Sequence, residues 1–110
     1  MNKVRRKEIF KIIQMLNKLL SNMYNISISD IVVELESIMD YIQIVLDEEE
    51  CVMDNIPENL QNSYRYEESE NACDNLNDAI NEIEEIDDEC DKMEITETIT
   101  NVIGCLNNCI

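Results

Sequence analysis

One proline and one glycine, Pro57 and Gly104, are all that punctuate 110 residues. Tight turns and sheet edges draw on both, so this supply favours a few long helices over a sheet. The apolar periodicity points the same way. Ile9, Ile12, Ile13, Leu16, Leu19, Leu20 and Met23 recur every three or four residues and predict a first helix over 3–23. The stretch from Asn25 to Ser29 interrupts that pattern, and Ser27 or Ser29 can cap a second helix over 30–56. The second stripe is Ile31, Val32, Leu35, Ile38, Met39, Ile42, Val45, Leu46, Val52 and Met53, with Glu49 standing where an apolar residue is due.

Pro57 cannot continue a helix without losing a backbone hydrogen bond, so the chain turns there. Ser63 is a suitable N-cap for a third helix over 64–93, and Glu67, Glu68 and Glu70 suit its positive end. Its stripe is Ala72, Cys73, Leu76, Ala79, Ile80, Ile83, Ile86, Cys90 and Met93. A fourth helix over 96–108 carries Ile99, Val102, Ile103 and Leu106, and Gly104 weakens it by ~1 kcal/mol relative to Ala. The two long helices, each ~40 Å, should fold back as an antiparallel hairpin. Two helices alone cannot bury both stripes, so the first helix, the fourth helix or a second subunit must cover the rest. The expected fold is therefore all-α: one domain, a long helical hairpin with a basic N-terminal helix and a short C-terminal one.

Charge bounds the function. The formal net is −17. Residues 1–18 hold Lys3, Arg5, Arg6, Lys7, Lys11 and Lys18 against Glu8 alone, and the remaining 92 residues carry −22 with Arg65 and Lys92 as their only cations. Direct binding of that acidic body to DNA, RNA or an anionic membrane would be repulsive. Solubility needs far less charge than this. The basic start is expected to dock on the acidic body, within one chain or across a homodimer, with apolar burial as the main driving force. No run of 18 apolar residues and no uncharged h-region near the start are found, which makes a cytoplasmic address the expectation.

Three stretches, NKVRRKE at the start, DEEECVMDNIPENLQNSYRYEESE at the bend and LNDAINEIEEI after it, resemble a family of short acidic helical-hairpin proteins. These are encoded by phages, prophages and mobile elements of Firmicutes. Asp54, Asn55, Pro57, Glu58, Asn59, Leu60, Gln61, Ser63 and Arg65 follow the family's D-N-x-P-E-N-L-Q-x-S-x-R turn. The likeness covers about residues 2–7 and 47–86, under half the chain. It implies a helical fold and a phage or prophage origin, hence a bacterial host cytosol, and no established activity. This chain departs by inserting extra helix before the acidic run and by adding a tail after Lys92.

Glu67, Glu70, Asp74, Asp78, Glu82, Glu85 and Asp88 recur at intervals of three or four on the side away from the third stripe. On a helix their carboxylates would stand ~5–6 Å apart along the axis, comparable with successive phosphates of a nucleic-acid strand. Lysines at i,i+4 would have stabilised such a face, and they are missing. The expected partner is the basic nucleic-acid-binding groove of a host protein, with a CRISPR effector the natural candidate. Binding would rest on charge-assisted contacts to Arg and Lys. Asp47, Glu48, Glu49, Glu50, Asp54 and Glu58 would thicken the anionic end of the rod, and Arg65 should anchor the turn by pairing with one of them. The alternative is a structural or adaptor protein that homo-oligomerises through its apolar stripes.

Enzyme chemistry is not expected. Without histidine there is no Ser-His-Asp or Cys-His site. In DDECDKMEITET, Lys92 and Thr98 occupy the positions where a calcium loop from Asp87 needs Gly and a bidentate Glu. Glu82, Glu85 and Asp88 have the spacing of a magnesium-binding set, which any helix this acidic produces by chance. Cys51, Cys73, Cys90, Cys105 and Cys109 contain no C-x-x-C, and read best as small buried apolar residues. No metal or cofactor is implied.

Overall fold

The computed structural model describes residues 1–110, and all its regular structure is helical. Helix α1 spans Lys3–Ser21, α2 spans Ile28–Asp54, α3 spans Tyr64–Glu84 and α4 spans Lys92–Asn107. Single 3-10 turns lie at Met23–Asn25 and Glu58–Leu60. Each α-helix begins at a side chain that competes well for a free backbone donor. Asn2, Ser27, Ser63 and Asp91 accept from the N–H three residues on, at 2.9, 3.2, 3.3 and 2.8 Å. One orphan N–H per helix is satisfied in this way.

Helices α2 and α3 form the expected hairpin. Asn55 closes α2, Pro57 stands extended, and the N–H of Leu60 donates to the Pro57 carbonyl at 2.8 Å. The chain then re-enters a helix at Ser63. Helix α3 packs closely on both α2 and α4, while α1 closes the ring more sparsely against α2 and α4. Neighbours run antiparallel: Arg5 at the start of α1 meets Glu49 near the end of α2, and Cys109 beyond α4 meets Ala72 near the start of α3. The result is an up-and-down four-helix rod measuring 51 × 23 × 18 Å.

One seam runs through it. Ile9 and Leu16 of α1, Ile31, Leu35 and Ile42 of α2, Leu76 of α3, and Ile95, Ile99 and Leu106 of α4 are almost wholly buried. Small side chains at Ala72 and Ala79, both buried, let the backbone of α3 approach its neighbours closely. Helices α1 and α4 therefore supply the cover that the hairpin stripes require.

The third and fourth helices differ from their expected bounds. Helix α3 stops at Glu84 rather than continuing to Met93, and α4 begins at Lys92 rather than Thr96. The cause is local. Glu84, Glu85, Asp87, Asp88 and Glu89 would crowd the negative end of a helix dipole with like charge. Asp87 instead accepts from the Glu89 N–H at 2.9 Å, an Asx turn that takes the backbone out of the helix. Asp91 then caps the next one. Met93 accordingly lies on the outside of α4, 73% exposed, and Ile95, absent from the expected stripe, is fully buried. Helix α2 runs from Ile28 to Asp54 rather than 30–56, and α1 yields to its 3-10 turn after Ser21.

Asp91→Ala should therefore lower stability by about 1 kcal/mol in urea unfolding, the usual cost of losing an N-cap. Thr96→Ala, inside the helix, should leave stability unchanged or slightly raise it, because Ala is the better helix former. Equal losses at the two positions would contradict a start at Lys92.

Candidate functional site: the acidic face of α3

Five of the seven expected ridge residues lie on α3. At 3.6 residues per turn, Glu67, Glu70, Asp74, Asp78 and Glu82 fall within ~120° of arc. The buried Ala72, Leu76, Ala79, Ile80 and Ile83 occupy the opposite side. Glu82 is half-buried and the other four are exposed. Glu85 and Asp88 do not continue the line, since Glu85 is the cap residue of α3 and Asp88 lies in the acidic turn beyond it. For the same reason Glu82, Glu85 and Asp88 do not form one helical triplet. No group of three His, Cys, Asp or Glu is placed to hold a metal ion.

None of the five takes part in an ion pair; the five pairs present all involve α1 or the amino group of Met1. The ridge is a run of carboxylates with no cation of its own.

The secondary cluster is divided. Asp47, Glu48, Asp54 and Glu58 are exposed and Glu50 is half-buried, but Glu49 has no exposed surface at all. Its position on the core stripe of α2 turns it inward, and α1 supplies its counter-charge. Arg5 Nε donates to Glu49 Oε2 at 2.6 Å, and the Met1 amino group lies 3.8 Å from Oε1. Glu49 Oε1 has no hydrogen-bond partner. Arg6 and the Met1 amino group also approach Glu68 Oε1, both at 3.7 Å. The basic start thus docks on the acidic body through two residues, Glu49 and Glu68, and leaves the ridge bare. Glu49 is no part of an anionic surface.

Arg65 does not anchor the turn. It pairs with no acid, and lines a cavity of about 240 Å³ together with Arg5, Arg6, Glu49 and Glu68. The turn is held by its own backbone instead, through the Leu60-to-Pro57 bond and a second from the Ser63 N–H to the Leu60 carbonyl at 3.0 Å. Asn55, Pro57 and Asn59 are exposed there, and Ser63 does the capping.

Carboxylates also shape the thiols. Burial pushes the Cys73 thiol up to about 11, and the nearby charges of Glu49, Glu50, Asp74 and Asp54 push the same way. Burial likewise takes Cys109 to about 12, assisted by Cys105 and Glu49. Glu50 and Asp54 of α2 are therefore near enough to Cys73 for their charge to act on its thiol, and the acidic surface extends across the turn from the start of α3 onto the end of α2. All five cysteines are free; Cys51 is exposed while Cys73 and Cys109 are buried.

Comparison with protein-family models, with curated proteins and with solved structures finds no match. No helix is long and apolar enough to cross a membrane. The site must be read from its own geometry.

Sequence reasoning located the ridge but placed Glu49 wrongly. The missed signal was its register: a lone acid in a helical stripe, with cations elsewhere in the chain and none nearby.

Three measurements check this description. Arg5→Met should cost about 3–5 kcal/mol by stranding a buried carboxylate, whereas Arg5→Met with Glu49→Leu should recover most of that loss. In native protein at pH 8, iodoacetamide should label Cys51 while Cys73 and Cys109 stay protected. Because both buried thiols ionise at higher pH in the folded than in the unfolded chain, their contribution to stability should be fully present below about pH 9 and be lost as pH rises towards 11–12 in an alkaline unfolding series.

Proposed function

We propose that this chain is a non-enzymatic inhibitor that occupies the nucleic-acid-binding groove of a basic host protein, acting as an acidic decoy in the manner of phage anti-defence proteins. A CRISPR effector is the candidate target, and a bacterial cytosol the setting. The observation that carries the reading is the unneutralised ridge: five carboxylates on α3, diametrically opposite its core stripe and without an ion pair.

A rod is a useful carrier for such charge. Helix α3 is held on two sides by α2 and α4, so its carboxylates are presented without ordering a flexible segment on binding. Their axial spacing of ~5–6 Å is wider than the ~3.4 Å rise per phosphate of one DNA strand. The ridge alone is thus less dense than a strand. Glu50 and Asp54, at the end of α2 across the turn from the start of α3, raise the density at that end. A groove lined with Arg and Lys would gain charge-assisted hydrogen bonds, fast steered association and steep salt dependence. The resemblance at the Pro57 turn supports a phage or mobile-element origin.

Tagged protein used as bait in host lysate should capture a nucleic-acid-binding protein. Double-stranded DNA and 0.5 M salt should each release it. The triple reversal Asp74→Lys, Asp78→Lys, Glu82→Lys should weaken capture at least about tenfold, or ~1.4 kcal/mol. A partner that survives both high salt and the reversal would dispose of the decoy reading.

A further inference from the structure

The side of the rod built by α1 and α2 differs from the ridge in kind. Val33 (61% exposed), Tyr41 (48%) and Ile44 (55%) form a second apolar line on α2, and Met15 of α1 (37%) faces them. These residues share one side of α2, well away from Ile31, Leu35, Ile38 and Ile42 on its core side. Two clefts open along the α1–α2 boundary, of about 400 and about 280 Å³, and both are bordered by Met15 and Tyr41. They follow from the sparse packing of α1 on α2.

The charges along this side have a pattern. Lys18 of α1 and Glu34 of α2 border the first cleft, and Lys11 of α1 and Glu48 of α2 border the second. The α1 rim therefore carries Lys11 and Lys18 with Glu8, a net of +1, and the α2 rim carries Glu34 and Glu48, a net of −2. Neither cross-cleft pair closes within the chain: Lys11 engages only Glu8 of its own helix at 3.3 Å, and Lys18 engages no acid.

We infer that this α1–α2 side is the seat of a homodimer, in which a second copy of the chain packs on it about a two-fold axis parallel to the helices. That operation lays each α1 over the partner's α2 at the same height. Each net-positive α1 rim then lies over a net-negative α2 rim of the partner, while Met15 meets Tyr41 between them. A two-fold interface must be self-complementary, and two rims of opposite net charge satisfy that requirement. The side is also close to neutral, with two lysines and three glutamates bordering its clefts, so two chains of net −17 can approach here against little local repulsion.

Size sets the strength. The length of α1, ~28 Å, and a two-helix width of ~20 Å offer on the order of 550 Å² per copy. A total of ~1,100 Å² lies at the lower edge of specific interfaces, so dissociation constants in the micromolar range are expected. The dimer is independent of the decoy reading, since no ridge carboxylate takes part in it.

Sedimentation equilibrium of the full chain from about 1 to 200 μM tests the assignment. A monomer–dimer equilibrium that persists in 0.5 M salt is expected. Ile44→Asp should raise the dissociation constant at least tenfold with helicity by circular dichroism unchanged. A chain carrying Lys11→Glu and Lys18→Glu, and another carrying Glu34→Lys and Glu48→Lys, should each dimerise poorly alone. Mixed, they should form a heterodimer, because each α1 rim again faces an α2 rim of opposite net charge. A chain that stays monomeric throughout, a dimer indifferent to Ile44→Asp, or charge-swapped chains that fail to pair would each overturn it.

Discussion

Four narrow apolar stripes closing on one seam hold together a chain whose charges work against compaction. A net charge of −17 on a rod 51 Å long is a self-repelling object, and the interior ion pairs, Arg5 and the Met1 amino group with Glu49, offset little of it. Individual exposed pairs such as Lys11–Glu8 contribute little. The restoring force is apolar burial, supplied in turn by every helix: Leu16, Ile42, Leu76 and Ile99 all reach essentially zero exposure. Because that burial needs only one side of each helix, the other sides are free to carry charge. The anionic surface is therefore a consequence the core tolerates rather than one it requires.

The Arg5–Glu49 contact is where the two charge populations meet, and it divides the basic segment's role from the ridge's. A buried ion pair is weak evidence of net stability, since desolvating both ions offsets much of their attraction. Its clearer effect is on register. With Glu49 on the core side of α2, α1 must lie antiparallel to it with Arg5 at that level, and a slip by one turn strands the carboxylate. The same register lines Lys11 and Lys18 along one rim of the α1–α2 boundary and Glu34 and Glu48 along the other.

Much of this was legible in the residues and some was not, for separable reasons. The helices, the hairpin and the Pro57 turn followed from periodicity and from a near-absence of breakers, both of which act locally. The end of α3 did not follow, because Ile86, Cys90 and Met93 continue an apolar period that Asp87 and Asp91 override with side-chain bonds to the backbone. Glu49 was legible as an anomaly but not as a buried group, since its partner lies 44 residues away in sequence. The second apolar line on α2 escaped notice because Val33, Tyr41 and Ile44 fall between the core positions of an already convincing stripe. Helical periodicity finds the dominant face of a helix and conceals a weaker one beside it.

The two proposed surfaces constrain one another through the ring order of the helices. Helices α1 and α2 form one layer, and α3 and α4 the other. A two-fold axis beside the first layer sends both copies of α3 to the outside, so dimerisation leaves the ridges uncovered and facing apart. Two ridges on opposite sides of one particle cannot enter a single groove together. They would engage two target molecules, or two separate basic sites whose spacing matches the dimer, and in the latter case linkage would raise avidity without any new contact. Salt acts oppositely on the two associations: it screens the attraction of a ridge for a cationic groove and relieves the repulsion between two anionic rods. A complex held by both surfaces would then lose its target on salt addition while its own subunits stayed together.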